Sequence, residues 1–251
     1  MSKLREVAVF KYGSETVANE KGINQRLINK YAKDLSKLEY GLIVVTSGAV
    51  LAGRAEAPSI DDDQVLAGLG SADVVMAWKR AFRQCDRLAG QVLATDHEIS
   101  DLSEGGTLRN ALTKDLIAGV VPIFNTNDKL NAAELAKRPW RGENDGPAAH
   151  IALLTGATKL CLMTKHNGVF DDKGDTISLV PYEKAAHKNI LDMVAHRGPK
   201  GQGIYAKVKA AIEAAEGGVD AYIAGASEDI RAVLSGKTGT HFAAKPVEWS
   251  K

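Results

Sequence analysis

Cysteine is scarce in this chain, 2 in 251 residues. Cys85 and Cys161 stand far apart, and Cys161 lies in an apolar run. Both read as buried free thiols of a reducing compartment, not as a bridge. The 6 histidines show no ligand spacing with Cys, Asp or Glu, so no structural zinc is expected. Long apolar runs are also missing. Met1-Ser2-Lys3-Leu4-Arg5-Glu6 leads into only 4 apolar residues, too short for a signal-peptide core. Nothing approaches a membrane span. The formal net charge is +1, which speaks against a nucleic-acid or membrane partner held by bulk charge. No internal repeat, low-complexity tract or long Pro/Gly/Ser linker divides the chain. The expectation is one cytoplasmic domain over residues 1–251, without nucleic-acid or membrane partners.

What is present is ordinary for a soluble globular protein: 45% hydrophobic and 25% charged residues. The length suffices for a real core. Short apolar runs occur at Val7–Phe10, Leu42–Val45, Val120–Phe124, Leu160–Met163 and Ala221–Ala224. Each reads as a strand buried on both faces. Helical spacing appears over Gln25–Leu38, Val74–Leu88, Leu108–Ala118 and Ala206–Ala215. Thr107 is the expected N-cap of the third helix, and Ser227 that of a late helix ending near Leu234. The stretch Asn167–Gln202 reads as loops with a hairpin. Alternating β and α predicts a three-layer α/β/α sandwich around a mainly parallel sheet.

Polar clusters follow several of the strands. Lys11-Tyr12-Gly13-Ser14 offers a point charge and backbone amides to a phosphate. Thr46-Ser47-Gly48 precedes a helix-compatible run, an arrangement that holds an anion or simply caps a helix. Asn125-Thr126-Asn127-Asp128 and Gly142-Glu143-Asn144-Asp145 lie where open parallel sheets bind ligands, beyond strand ends. Turn chemistry explains the last two equally well in isolation, and for Lys11–Ser14 alone a solvated turn is the better reading. Gly201-Gln202-Gly203 followed by Lys207 suits a loop over a nucleotide, but it is not a Walker A motif.

In order and spacing, these segments resemble the glutamate 5-kinases of the amino acid kinase family over nearly the whole chain. The strongest match is Val44-Val45-Thr46-Ser47-Gly48-Ala49-Val50-Leu51-Ala52-Gly53-Arg54. The resemblance covers a kinase domain without the C-terminal PUA domain that many members carry. It implies ATP and Mg²⁺ as cofactors and an acceptor site in the N-terminal half, about residues 1–155. The nucleotide would occupy the C-terminal half, about 156–251. Lys11, Lys207 and Asp145 match the catalytic positions, with Asp145 orienting both lysines. Ser47, Gly48, Asn125, Asp128, Glu143 and Asn144 match acceptor contacts. Lys11, Gly13, Thr164, Lys165, Gly201, Gly203 and Lys207 match nucleotide contacts. No protein side chain is assigned to the metal, and a homo-oligomer is the default for this scaffold.

The implied reaction is transfer from ATP to the side-chain carboxylate of L-glutamate, giving glutamyl 5-phosphate for proline synthesis. A carboxylate is ionised at neutral pH, so no general base is required. Some positions depart from the family pattern. Lys165 stands where the family carries aspartate, Thr126 replaces a glutamate, and Glu143 replaces an aspartate. The glycine loop keeps only Gly201 and Gly203. These changes leave two alternatives: a different small anionic acceptor, or a catalytically weak binding regulator on the same fold.

Overall fold

The computed structural model describes residues 6–94, 99, 105–125, 144–197 and 202–246, without the side chains of residues 105 and 202. In chain order come β1 (Val7–Tyr12), α1 (Ser14–Val17), β2 (Ala18–Asn19), β3 (Gly22–Ile23), α2 (Gln25–Leu35) and β4 (Gly41–Thr46). Next are α3 (Ala49–Glu56), α4 (Asp63–Arg83), β5 (Leu88–Val92), α5 (Gly105–Ile117), β6 (Val120–Phe124) and α6 (Asp145–Thr155). Then follow β7 (Lys159–Thr164), β8 (Leu179–Val180), α7 (Lys184–Ala195), α8 (Gln202–Glu216), β9 (Asp220–Gly225), α9 (Ile230–Leu234) and β10 (Thr240–Phe242).

The main sheet has 8 strands in the order β5-β6-β4-β1-β7-β9-β10-β8. Every neighbouring pair is parallel except β9 with β10. Side chains alternate across a strand, so β1 divides between two cores. Val7 and Val9 join Ala148 and Ala152 of α6 and Ala211 and Ala215 of α8. Ala8, Phe10 and Tyr12 join Ile28 and Leu35 of α2 and Val74 and Trp78 of α4. Helices therefore cover both faces, giving the expected three-layer sandwich. This double burial is why the central strands read as unbroken apolar runs.

All five expected strands form. The helical readings need correction at their edges. The second spans Asp63–Arg83 instead of Val74–Leu88, and Leu88 opens β5, paired with Val120. Gly68 and Gly70 weaken the helical signal of its first half. Thr107 lies within α5, which starts at Gly105. The cap of α9 is Asp229, whose side chain accepts from the Arg231 amide, and not Ser227. The stretch read as loops holds the 12-residue helix α7. It also holds the hairpin, closed by a bridge between Phe170 and Thr176. Cys161 is buried, but Cys85 is only half-buried, at the exposed end of α4.

Two glycines set how α3 meets α4. A Cβ on Gly70 would lie 2.1 Å from the Ala49 carbonyl oxygen, and one on Gly53 2.0 Å from that of Leu66. The helices thus touch backbone to backbone. That contact fixes α3 and, through it, the turn that ends β4. Gly70→Ala is expected to lower stability by about 1–3 kcal/mol or more, despite its better helix propensity, because backbone cannot yield as a side chain can. A denaturant titration with unchanged or raised stability would refute the close contact.

Candidate active site

Lys11 continues the Val7–Val9 face of β1, towards α6 and α8. Lys207 lies on the buried stripe of α8, one and two turns before Ala211 and Ala214. Asp145 is the first residue of α6 and is fully buried. The three converge. Lys11 Nζ lies 2.8 Å from Asp145 Oδ1, and Lys207 Nζ lies 3.0 Å from Asp145 Oδ2. One carboxylate thus bridges two lysines, Lys11 1% and Lys207 8% exposed. The two ammonium groups are thus held side by side on the floor of the site by one carboxylate. Burial in low dielectric strengthens the electrostatic interactions of each ammonium group.

The surrounding groups come from the carboxyl ends of adjacent parallel strands, where such sheets bind ligands. Ser47 follows β4, and its amide donates to the Tyr12 carbonyl at 3.0 Å. Asn144, the N-cap residue of α6, donates from Nδ2 to the Thr46 carbonyl at 3.1 Å and to Ser47 Oγ at 3.2 Å. Ser47 was also readable as a helix cap. The cap of α3 is instead Gly48, at φ 109°. A side chain there would be strained and would place its Cβ 2.8 Å from Val17 Cγ2. Asn125 lies one residue past the last β4–β6 pair, Val45 with Phe124. It is buried, and neither its Nδ2 nor its Oδ1 has a hydrogen-bond partner among the described residues. Buried amides are rarely left so, which makes Asn125 a candidate ligand contact.

A cavity of about 190 Å³ opens above the lysines, lined by Lys11, Gly13, Thr164, Lys165 and Lys207 together with Ser47 and residues of α1. Typical small-molecule pockets measure ~300–1,000 Å³. This one, lined by three lysines, has the size and charge for a small anion. Gly13 faces the Lys11 ammonium: a Cβ there would stand 3.9 Å from Nζ. Gly203 lies in the first turn of α8 but outside the cavity lining. Asp128, Glu143 and Gly201, with the departure at Thr126, lie outside the described residues.

Two participants escaped the sequence reading. Glu15 of α1 also lines the cavity, and its Oε2 lies 3.0 Å from Lys165 Nζ. The charge reversal at Lys165 is therefore met by an opposite charge on a neighbouring element. Both are more than half exposed, so the pair contributes little to stability. Trp78 of α4 donates from Nε1 to Thr46 Oγ1 at 3.0 Å, holding the strand end from the other core. Only three-dimensional proximity links either pair, and no local pattern announces it.

Fold and site together define an α/β sandwich with paired, carboxylate-bridged lysines at its strand ends. The chain belongs to the amino acid kinase family, whose profile matches residues 6–225. It is 31% identical over 185 residues to a glutamate 5-kinase of Syntrophotalea carbinolica, a match covering 70% of this chain and 48% of that protein. A glutamate 5-kinase of Haemophilus influenzae is 28% identical over 235 residues, covering 88% of this chain and 63% of that protein. The match thus spans about half to two-thirds of these relatives. The fold is also that of a Giardia carbamate kinase, at a TM-score of 0.68 with 15% identity, covering 97% of this chain and 100% of that one.

The bridging carboxylate makes a testable demand on stability. Asp145→Asn leaves two buried ammonium groups facing an uncharged amide, and is expected to cost about 3–5 kcal/mol in denaturant unfolding. Lys207→Met is expected to cost less, since Asp145 then keeps Lys11. Equal stability of Asp145→Asn and the parent protein would contradict a charged triad.

Proposed function

We propose that this chain transfers the γ-phosphoryl group of ATP to the side-chain carboxylate of L-glutamate. The product is glutamyl 5-phosphate, the activated acid that feeds proline synthesis in the cytoplasm. The observation that carries this reading is the bridge from Asp145 to Lys11 and Lys207 at 2.8 and 3.0 Å on the cavity floor. The glutamate 5-kinase relatives support the choice of acceptor.

Phosphoryl transfer asks the protein mainly for alignment and charge neutralisation. The acceptor carboxylate oxygen forms a bond to the γ-phosphorus as the bond to the β-phosphate oxygen breaks. ADP leaves with that electron pair, and no proton has to move. Lys11 and Lys207 would donate to oxygens of the group in transit, where charge is greatest. Asp145 holds both ammonium groups in place and offsets their repulsion. Residues up to about 155 would hold the acceptor. Ser47, Gly48, Asn125 and Asn144 would contact it, with Asp128 and Glu143 completing the set. The remainder, from about 156 to 251, would hold the nucleotide through Thr164, Lys165, Gly201 and Gly203, helped by Gly13 from the first half.

Mg²⁺ fits this site as a passenger of the nucleotide. Both Asp145 oxygens face lysines, and Glu15 is paired with Lys165. Phosphate oxygens and water would then supply most of its ligands when it is bound, as is usual for this ion. When bound, it would neutralise phosphate charge.

The test is ADP release from ATP and Mg²⁺ against a panel of small carboxylates, with hydroxylamine to trap an acyl phosphate. Glutamate-dependent release and a hydroxamate are expected from the parent protein, and neither from a folded Lys11→Ala or Lys207→Met variant. Release with another acceptor would keep the chemistry and reject glutamate. No release with any acceptor would reject the reading.

A further inference from the structure

The hydrogen bonds behind Ser47 run in one direction. Thr46 is the last residue of β4 and, like Trp78 of α4, is fully buried. Trp78 Nε1 donates to Thr46 Oγ1 at 3.0 Å, and Thr46 Oγ1 donates to the Ser47 carbonyl at 3.1 Å. An indole N–H can only donate, and a carbonyl can only accept. Between that donor and that acceptor the Thr46 hydroxyl has a single orientation. Its proton is committed to the Ser47 carbonyl, and the indole keeps it from turning away.

The same logic fixes Asn144. The Thr46 carbonyl can only accept, so the Asn144 amide must turn Nδ2 towards it, at 3.1 Å. That Nδ2 also lies 3.2 Å from Ser47 Oγ, which therefore accepts. The proton of the Ser47 hydroxyl is left for another acceptor, and it has none among the described residues. Ser47 lines the cavity above Lys11 and Lys207. A hydroxyl that presents its proton there suits a group that only accepts, such as a carboxylate, and disfavours an ammonium group. Its backbone is pinned on both sides: the amide donates to the Tyr12 carbonyl at 3.0 Å, and the carbonyl accepts from Thr46.

We propose that Trp78 and Thr46 are positioning residues for acceptor recognition: the indole, the Thr46 hydroxyl and the Ser47 carbonyl form a one-way relay that holds the Ser47 hydroxyl as a donor to a carboxylate of the acceptor. The inference rests on the proposed transfer to a carboxylate, and adds a reason why Ser47 takes an acceptor-only group. Neither Trp78 nor Thr46 lines the cavity, so both act through Ser47. The nucleotide contacts lie on other elements, and the relay leaves them alone.

Steady-state ADP release tests this, with acceptor KM and nucleotide KM read separately beside denaturant unfolding. Thr46→Val keeps the shape but removes the hydroxyl, and Trp78→Phe removes the N–H. Each is expected to raise the acceptor KM about tenfold, the order of one hydrogen bond to a charged group. The nucleotide KM is expected to move less than about twofold, since no nucleotide contact is altered. Thr46→Ser retains the hydroxyl and is expected to bring the acceptor KM back. In Trp78→Phe/Thr46→Val no indole N–H is left without an acceptor, so the two losses of stability are expected to total less than their sum. The acceptor KM of that double variant is expected to stay raised, whereas a purely structural role would let it recover with stability. An acceptor KM unmoved in Thr46→Val, or restored in the double variant, would overturn this inference and leave the proposed function standing. A parent protein that turns over no carboxylate would overturn both.

Discussion

A carboxylate shut away from water between two ammonium groups governs how this molecule is put together. Asp145 is fully buried and meets Lys11 at 2.8 Å and Lys207 at 3.0 Å. None of the three groups is stable there by itself, since an isolated buried charge costs several kcal/mol even after relaxation. Their mutual contact ties together β1, the start of α6 and the first turns of α8. It sets two ammonium groups just where the sheet opens to ligands. A replacement by packed apolar residues would suit stability as well or better. The triad is thus better explained by what it does than by what it holds together.

The rest of the site keeps that triad in register. Asn144 precedes Asp145 and is bonded to the end of β4 through the Thr46 carbonyl and Ser47 Oγ. Thr46 is in turn held by Trp78 from the opposite core, and α4, which carries Trp78, is locked on α3 by Gly53 and Gly70. A chain of direct contacts therefore runs from the outer layer to the carboxylate. Helix α4 thus braces the strand end from its inner face.

The sequence made the centre of the fold legible and left its margins obscure. Strands β1, β4, β6, β7 and β9 are buried on both faces, and such burial writes itself as continuous apolar residues. Strand β5 lies at the sheet edge, with Leu88 69% exposed and Gly90 in its middle, and carries no such signature. Strands β8 and β10 span 2 and 3 residues, too few for any period to show. Helix α4 was half hidden by glycines whose purpose is a helix contact. In the site, Lys11, Asp145 and Lys207 were each weak in isolation and became specific as an ordered set matching a known family. Glu15 could not be paired with Lys165 from sequence, because only the fold brings α1 beside the end of β7. The same holds for Trp78 and Thr46.

The central claim is that the two bridged lysines receive the phosphoryl group. The most direct measurement is a crystal structure with a non-hydrolysable ATP analogue and Mg²⁺. The account predicts γ-phosphate oxygens about 3 Å from both Lys11 Nζ and Lys207 Nζ, within hydrogen-bond reach. A triphosphate seated elsewhere would contradict it, for instance against Lys30, Lys37 and Arg231, which line a separate cavity beside α2 and α9.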